Sequence, residues 1–257
     1  MSTNRFGALA LLLPYTAVLF LLSPLFAIVP FSFTDKRYLS MPSGGLSLRH
    51  YSEILTNEIW QGGILTSILI AVIVSVIATL LATLFSLGIW YAQSRYTKIL
   101  VAAALVPMAI PPIISALTLY FFTTGAGIYD SWPGVIIAHT VMAVPYSVVT
   151  ILVSLSQVDK RLQLASRNLG ASIWQTSWWV ILPNIKIGLA SSFLLSFVLS
   201  WEEISVTLFV TSIEVTTLPR LMWAGLRDNI DPIIASISVI LILLSSAVVF
   251  VRVNSER

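Results

Sequence analysis

The sequence specifies an all-α integral membrane protein of six transmembrane helices, and three observations predict it. Six long windows hold no Asp, Glu, Lys or Arg (6–34, 59–94, 99–129, 131–158, 187–201 resuming at 204–213, and 232–251), the fifth being interrupted by Glu202-Glu203. Charged residues are only 10% of the 257, and hydrophobic residues are 57%. Mean hydropathy is +0.93, far outside the range of soluble domains. A soluble chain must carry polar groups over its whole surface. A membrane chain must not, because a charge at the bilayer centre costs roughly 2.5–3.5 kcal/mol on insertion scales.

A helix rises about 1.5 Å per residue, so about 20 residues cross a hydrocarbon core of ~30 Å. The expected spans are approximately 8–32, 62–92, 99–123, 134–157, 187–212 and 232–252, within one transmembrane domain covering 1–257. They are helical because lipid offers unpaired backbone groups no partner, and the alternation of barrel strands is missing. In the first, Arg5 before an apolar run resembles a secretory signal peptide. The run exceeds an h-region and no A-x-A-like site closes it, so a retained helix is expected. The third carries Pro107, Pro111 and Pro112, and the fourth Pro145. Each proline removes a backbone donor and kinks its helix. Proline is common in membrane helices, but broken helices also line cavities and flex as gates. Pro111, Pro112 and Pro145 are the gating candidates.

Six spans put both termini on one side. Placing that side in the cytoplasm assigns it Arg5, Arg95, Lys98, Lys160, Arg161, Arg167, Lys186, Arg252 and Arg257. Lys36, Arg37, Arg49, Arg220 and Arg227 fall outside, as the positive-inside rule requires. Asp35, Glu53, Glu58, Asp130, Glu214, Asp228 and Asp231 also fall outside, against Asp159 and Glu256 inside.

Several function classes are excluded. There is no cysteine, hence no disulfide, thiolate metal site or cysteine nucleophile. Two distant histidines, His50 and His139, without an HExxH pattern make neither a histidine-rich metal site nor an intramembrane enzyme. His139 lies in a span, as hydrogen-bonded structure or as a proton carrier, and His50 is expected on the outer surface. The net charge of +3 follows membrane sidedness and does not mark a nucleic-acid face. No internal repeat of the secondary-transporter kind is visible.

Two connections are too long for turns. The outer loop 35–58 contains Pro42, Gly44 and Gly45, then Leu48-Arg49-His50-Tyr51, which reads as a short surface helix. The inner loop 159–186 reads as two short helices joined at Gly170, since glycine accepts the left-handed conformation that ends a helix. Ser172 with Gln175 forms a capping-box pattern, and Pro183 is expected to stop the second helix. Trp174, Trp178 and Trp179 suit the headgroup layer. The hairpin is either an interfacial anchor or a rigid knob for a cytosolic partner.

This inner loop resembles the "EAA" loop of binding-protein-dependent ABC importer permeases, with its pattern E-A-A, three residues, G, about nine residues, I-x-L-P. Ala165, Gly170, Leu182 and Pro183 match, with Val180 for the Ile, Ser166 for the second Ala and Leu164 for the Glu. Phe31 to Tyr51 is similar to the first outer loop of polyamine-type permeases. Ala138-His139-Thr140 with Val144-Pro145-Tyr146 is similar to their fourth helix, and Ser200-Trp201-Glu202-Glu203 with Thr207-Leu208-Phe209 and Thr217-Leu218-Pro219 to their fifth. The resemblance runs from about Ala10 to about Phe250, and is greatest to the second permease of spermidine/putrescine importers.

It implies a type I ABC importer permease fold in a bacterial inner membrane. It implies a non-catalytic pore subunit paired with a second permease, two cytosolic ATPases and a periplasmic or lipoprotein receptor. Without the Leu164-position Glu, docking would rest more on shape and apolar contact. Ala165, Ser166, Arg167, Leu169, Gly170, Ala171, Ser172 and Trp174 become the expected ATPase-coupling residues. The chain itself shows no Walker A loop, so ATP and Mg belong to the partner ATPases and no cofactor is expected here. Glu202 and Glu203 lie roughly fifteen residues into the fifth span, and adjacent helical residues point about 100° apart. They are either a structural pair or, with Trp201, a cation site on the substrate pathway, suited to a polyamine or another amine. An import permease for another small solute, or an ATP-independent channel, is the alternative.

Overall fold

The computed structural model describes residues 3–92, 94–228 and 230–255, with side chains described from 12 to 247 apart from 93 and 229. The Arg5 and Arg252 side chains, Glu256 and Arg257 therefore lie outside the described residues. Regular structure among the described residues is helical throughout. The chain divides into two compact units, Met1–Gln61 with Met222–Arg257, and Gly62–Leu221.

In the first unit, α1 (Thr3–Phe31) lies against α13 (Ile233–Ser255), and α13 also meets α2 (Arg49–Thr56). The outer segment after α1 folds back on itself. Ser47 donates its N–H to the Phe33 carbonyl at 2.9 Å, and Tyr51 donates its hydroxyl to Ser32 Oγ at 2.7 Å. That return covers His50, which is only 3% exposed, with Nε2 3.0 Å from the Lys36 carbonyl. The expectation of a surface His50 is therefore corrected: the fold-back of 33–48 over α2 buries it.

The second unit is built around α6 (Trp132–Ser156). Helices α4 (Thr97–Ala109) and α10 (Lys186–Glu202) pack on it, while α11 (Ser205–Val210) packs on α6 and on α5 (Pro112–Gly125). Two apolar clusters follow one another along α3 (Glu58–Ala92). One gathers Ile70, Val74 and Ala78 with Leu119, Val135 and Val206, and the other Ala82 and Leu87 with Val148, Ile151, Leu155 and Ile181.

The seam of α6 and α10 is polar and close. Gly188, Ser192, Ser196 and Ser200 recur every fourth residue, so they share one helix face, and all four are buried. Small residues let helix backbones approach, and their hydroxyls are satisfied across the seam. Ser196 meets Ser147 at 2.6 Å, Ser192 meets Thr79 of α3 at 3.2 Å, and Ser200 meets His139 at 2.9 Å. A Cβ added to Gly188 would fall 1.9 Å from Ser154 Oγ and 2.4 Å from its Cβ.

Among the described residues, three helices are long and apolar enough to cross a membrane: Leu12–Phe31 of α1, α3 and α6. Two further pairs reach that length only together, α4 with α5 and Ile173–Asn184 with α10, bent by 98° and 75°. The apolar stretch Ile233–Ala247 of α13 is shorter. The α4–α5 bend follows from Pro111-Pro112, because a residue before proline is driven out of the helical region. Ile110 (ψ 132°) and Pro111 (ψ 135°) are both extended. The prolines here separate two helices instead of kinking one. Pro107 and Pro145, by contrast, sit inside α4 and α6, which continue through them.

Gly188→Ala is expected to destabilise the protein by about 1–3 kcal/mol, the usual range for overpacking. Ser154→Gly in the same chain should recover part of that loss. Thermal unfolding of the wild type, both single variants and the double variant measures the coupling.

Candidate functional site

The fifth apolar window is broken at its acidic pair. Helix α10 ends at Glu202, and Glu203 is extended (ψ 110°) before α11 restarts at Ser205. Glu203 Oε1 accepts the Val206 N–H at 2.9 Å, and the Glu203 carbonyl accepts the Thr207 hydroxyl at 2.8 Å. His139 of α6, 1% exposed, spans the break: Nδ1 lies 2.9 Å from Ser200 Oγ and Nε2 2.9 Å from Thr207 Oγ1. Thr207 gives its hydrogen to Glu203, so it accepts from Nε2–H, and Nδ1 accepts from Ser200. One neutral tautomer satisfies every group. His139 is hydrogen-bonded structure that holds the two sides of the break together.

The two carboxylates consequently differ. Glu203 is half-buried and committed to the backbone, whereas Glu202 is exposed. Trp201 is half-buried, its ring stacked on Phe197 at 6.1 Å. A cavity of about 100 Å³ beside the break brings Pro112, His139, Met142, Tyr146, Ser200 and Glu203 together. Of the gating candidates, Pro112 thus faces the same cavity as Glu203. Pro111 caps α5 at the bend, and Pro145 is buried within α6.

The inner hairpin is built by local chemistry. Helix α7 (Lys160–Asn168) begins with the Asp159 carboxylate accepting the Arg161 N–H at 2.8 Å. It ends in a Schellman motif: Gly170 (φ +87°) donates to Arg167 O at 3.0 Å, and Ala171 donates to Ser166 O at 3.2 Å. Arg167 Nη1 then donates to Ala171 O at 2.8 Å. Helix α8 (Ile173–Thr176) starts with a full capping box, Ser172 Oγ accepting from Gln175 N and Gln175 Oε1 from Ser172 N. Ser166 and Thr176 join α7 to α8 at 2.8 Å.

The hairpin continues through a π turn at Ser177–Ile181 into α9 (Leu182–Asn184). Pro183 explains the wide turn, since it has no N–H to donate and its ring needs room against the preceding turn. The expected stop at Pro183 moves to Ile185, where the chain bends into α10. Ser177 donates to Tyr91 Oη of α3 at 3.0 Å. Leu164, Ile173, Leu169 (89% exposed) and Trp174 (75% exposed) stand clear of the fold. Ala165 and Ser172 are also exposed, and Ser166 and Ala171 partly so.

At the other end of α11, two charges fix the chain. Asp130 (φ 52°) accepts the N–H groups of Ser212, Ile213, Glu214 and Val215 at 2.7–3.3 Å. Burial alone would raise the Asp130 pKa, but the four N–H bonds outweigh it and hold the carboxyl below its ordinary 3.8. Arg220 donates to the Thr211 carbonyl at 2.7 Å, at the C-terminal end of α11 where carbonyls lack helical donors. The outer stretch that follows is largely α12 (Leu218–Asp228), and Asp231 caps α13 by accepting the Ile233 N–H at 2.9 Å. Arg220 and Asp231 are framework, while Arg227 and Asp228 pair with each other at 3.2 Å on the surface.

A profile of the family described as "Binding-protein-dependent transport system inner membrane component" matches residues 84–257, well over half of the chain. The chain belongs to that family. It is a multi-pass permease subunit of a binding-protein-dependent ABC importer in the inner membrane, and non-catalytic. This permease is 26% identical over 230 residues to the spermidine/putrescine transport system permease protein PotC of Haemophilus influenzae, covering 90% of this chain and 89% of the relative. It is 25% identical over 239 residues to the putrescine transport system permease protein PotI of Escherichia coli, covering 90% and 84%. A probable molybdenum ABC transporter permease protein of Haloferax volcanii is 28% identical over 224 residues, covering 82% of each. Among solved structures, a bacterial ABC transporter involved in the import of the acidic polysaccharide alginate matches with a TM-score of 0.72 at 16% identity, over 99% of this permease and 97% of that chain. At that identity the likeness shows the fold alone.

Sequence reasoning missed the α6–α10 seam, although Gly188, Ser192, Ser196 and Ser200 announce it by their four-residue spacing. It also missed Asp130 and Arg220 as pins, because their partners are backbone groups more than eighty and about nine residues away, which no side-chain pattern marks. Asp130 sets a pH dependence. Its folded pKa is depressed, so its contribution is present above the unfolded value and is lost as pH falls through the folded value below 3.8. Asp130→Asn is therefore expected to lower thermal stability at pH 7 and to lose that effect progressively below about pH 4. Melting curves of both forms from pH 7 to pH 3 would measure it.

Proposed function

We propose that this permease forms half of the translocation pathway of an ATP-driven importer whose cargo is a polyamine or another cationic amine. Exposed Glu202, at the break beside Trp201, is the observation that carries the reading. A carboxylate within an apolar span is expensive unless it meets water or a cation, and an ammonium supplies the latter. Half-buried Trp201 adds a cation–π contact to the same ligand. The printed names of the PotC and PotI relatives favour that cargo class. The name of the molybdenum relative keeps another small solute as the second reading. Glu203, committed to the Val206 N–H, serves chiefly to keep the break open.

On this reading there are six spans. The bent pair α4–α5 contributes one, α10 with α11 contributes another, α13 completes the sixth, and both termini lie in the cytoplasm. The single transmembrane domain spans 1–257, with 159–186 as the coupling loop. Its partners are a different permease chain, two cytosolic ATPases that hold ATP and Mg, a periplasmic or lipoprotein substrate-binding protein, and membrane lipid. Pro111, Pro112 and Pro145 flank the break as gating positions.

Leu164, Leu169, Ile173 and Trp174 form an apolar knob that suits a groove on the ATPase, and Leu164 takes the place where the family usually has a carboxylate. Ala165, Ser166, Arg167, Gly170, Ala171 and Ser172 shape that knob. ATPase closure then moves the hairpin, and the Ser177–Tyr91 contact with the direct link to α10 passes the motion into the spans.

Glu202→Gln is expected to reduce uptake of a labelled diamine by the reconstituted transporter about tenfold, as the loss of one hydrogen bond to a charged group implies. Glu203→Gln, which keeps the accepting oxygen, should act less. Unchanged uptake in both and in the double variant removes the cation site. Leu169→Asp with Trp174→Asp should abolish amine-stimulated ATP hydrolysis while the chain still inserts. A photocrosslinker at Trp174 should capture an ATPase subunit, and capture of lipid alone would defeat the coupling assignment.

A further inference from the structure

At the end of α6 nearest the hairpin, the second unit holds a cleft of about 790 Å³ that the transport reading does not use. Its polar wall comprises Thr150 and Ser154 of α6, Gln157 just past its end, Asp159, Asn184 and Ser191. Three side chains of that wall have a donor already engaged within the chain. Thr150 donates its hydroxyl to the Tyr146 carbonyl at 2.9 Å, and Ser154 donates to the Thr150 carbonyl at 3.0 Å. Asn184 donates its amide N–H to the Val180 carbonyl at 2.7 Å. Each has spent a donor on its own helix and offers an oxygen lone pair. Asp159 uses Oδ1 on the Arg161 N–H and keeps the second oxygen. Val149, Val153, Leu162 and Ile187 form an apolar wall, and among the described residues no lysine or arginine lines the cleft.

The surroundings fix its level and its counter-charge. Exposed Trp178 and Trp179 precede Asn184 by a turn or so, and such rings settle in the headgroup layer. Exposed Lys160 follows Asp159 in sequence, and exposed Lys186 precedes Ile187. We propose that this cleft is a binding site for the headgroup of a primary-amine phospholipid, of the phosphatidylethanolamine type. Thr150, Ser154, Asn184 and Asp159 accept from its ammonium, Lys160 and Lys186 meet its phosphate, and Val149, Val153 and Ile187 cover the start of an acyl chain.

A free amine shares the ammonium chemistry. It has no anion for the two lysines and no use for the apolar wall, so the lipid is favoured. A phosphatidylcholine headgroup has no N–H to donate, and a phosphatidylglycerol headgroup has no cation. The site goes beyond the transport reading and does not depend on the cargo or on Glu202.

The test uses the assembled transporter in nanodiscs. The chain has no cysteine of its own, so Val153→Cys gives one reactive position in it, and modification by a maleimide is read on this chain by mass spectrometry. Modification is expected to be about fivefold slower in discs rich in phosphatidylethanolamine than in phosphatidylcholine or phosphatidylglycerol, the ratio one net hydrogen bond supports. Thr150→Val with Asn184→Leu should erase the difference. Equal rates in all three lipids would overturn the proposal. So would protection by 1,4-diaminobutane in phosphatidylglycerol discs with none from phosphatidylethanolamine, because that result assigns the cleft to a soluble amine. Either failure leaves the Glu202 uptake experiment unaffected.

Discussion

The close contact between α6 and α10 is the constraint on which the second unit depends. Lipid cannot drive apolar helices together as water does, so packing and hydrogen bonds must do it. Gly188, Ser192, Ser196 and Ser200 bring the backbones together and satisfy the hydroxyls they bury. The last of them hands the seam on to His139, and His139 reaches past the end of α10 to Thr207. The interruption at Glu202-Glu203 is therefore supported from the side by an intact helix. Without that support, an unwound pair of residues inside an apolar window would leave backbone groups with no partner.

The two interruptions have different origins. At Pro111-Pro112 the break starts from the covalent structure of two consecutive prolines, and the chain turns there by 98°. At Glu203 no such compulsion exists. The residue is extended because its carboxylate and carbonyl both bind the first turn of α11, and because His139 holds each side. The first break is a property of two residues. The second is a property of four, drawn from two segments of chain.

Much of this was legible in the sequence. The absence of charge from long windows gives the membrane helices, and Gly170, Ser172 and Gln175 give the hairpin almost atom by atom, because Schellman motifs and capping boxes are local. The Glu pair could be located but not divided, since only the structure shows that Glu203 is used by the backbone while Glu202 is exposed. His50 was misplaced because its burial comes from the return of residues 33–48, a feature of chain path that composition does not encode. Asp130 was read as one more outer acid, yet its four amide partners lie across the fold. Long-range backbone recognition leaves no trace in residue spacing.

The wide turn at Ser177–Ile181 has a geometric corollary. A π turn accommodates one residue more than an α turn, and one residue corresponds to about 100° of rotation. Wound as a regular α-helix at its present length, 177–181 would leave that extra residue unabsorbed. Everything ahead of it, including the protruding Leu169 and Trp174, would then swing about the helix axis by more than a quarter of a circle. The azimuth at which this protein shows its apolar tip is thus kept by a wide turn that absorbs one surplus amino acid, upstream of a proline that needs the space.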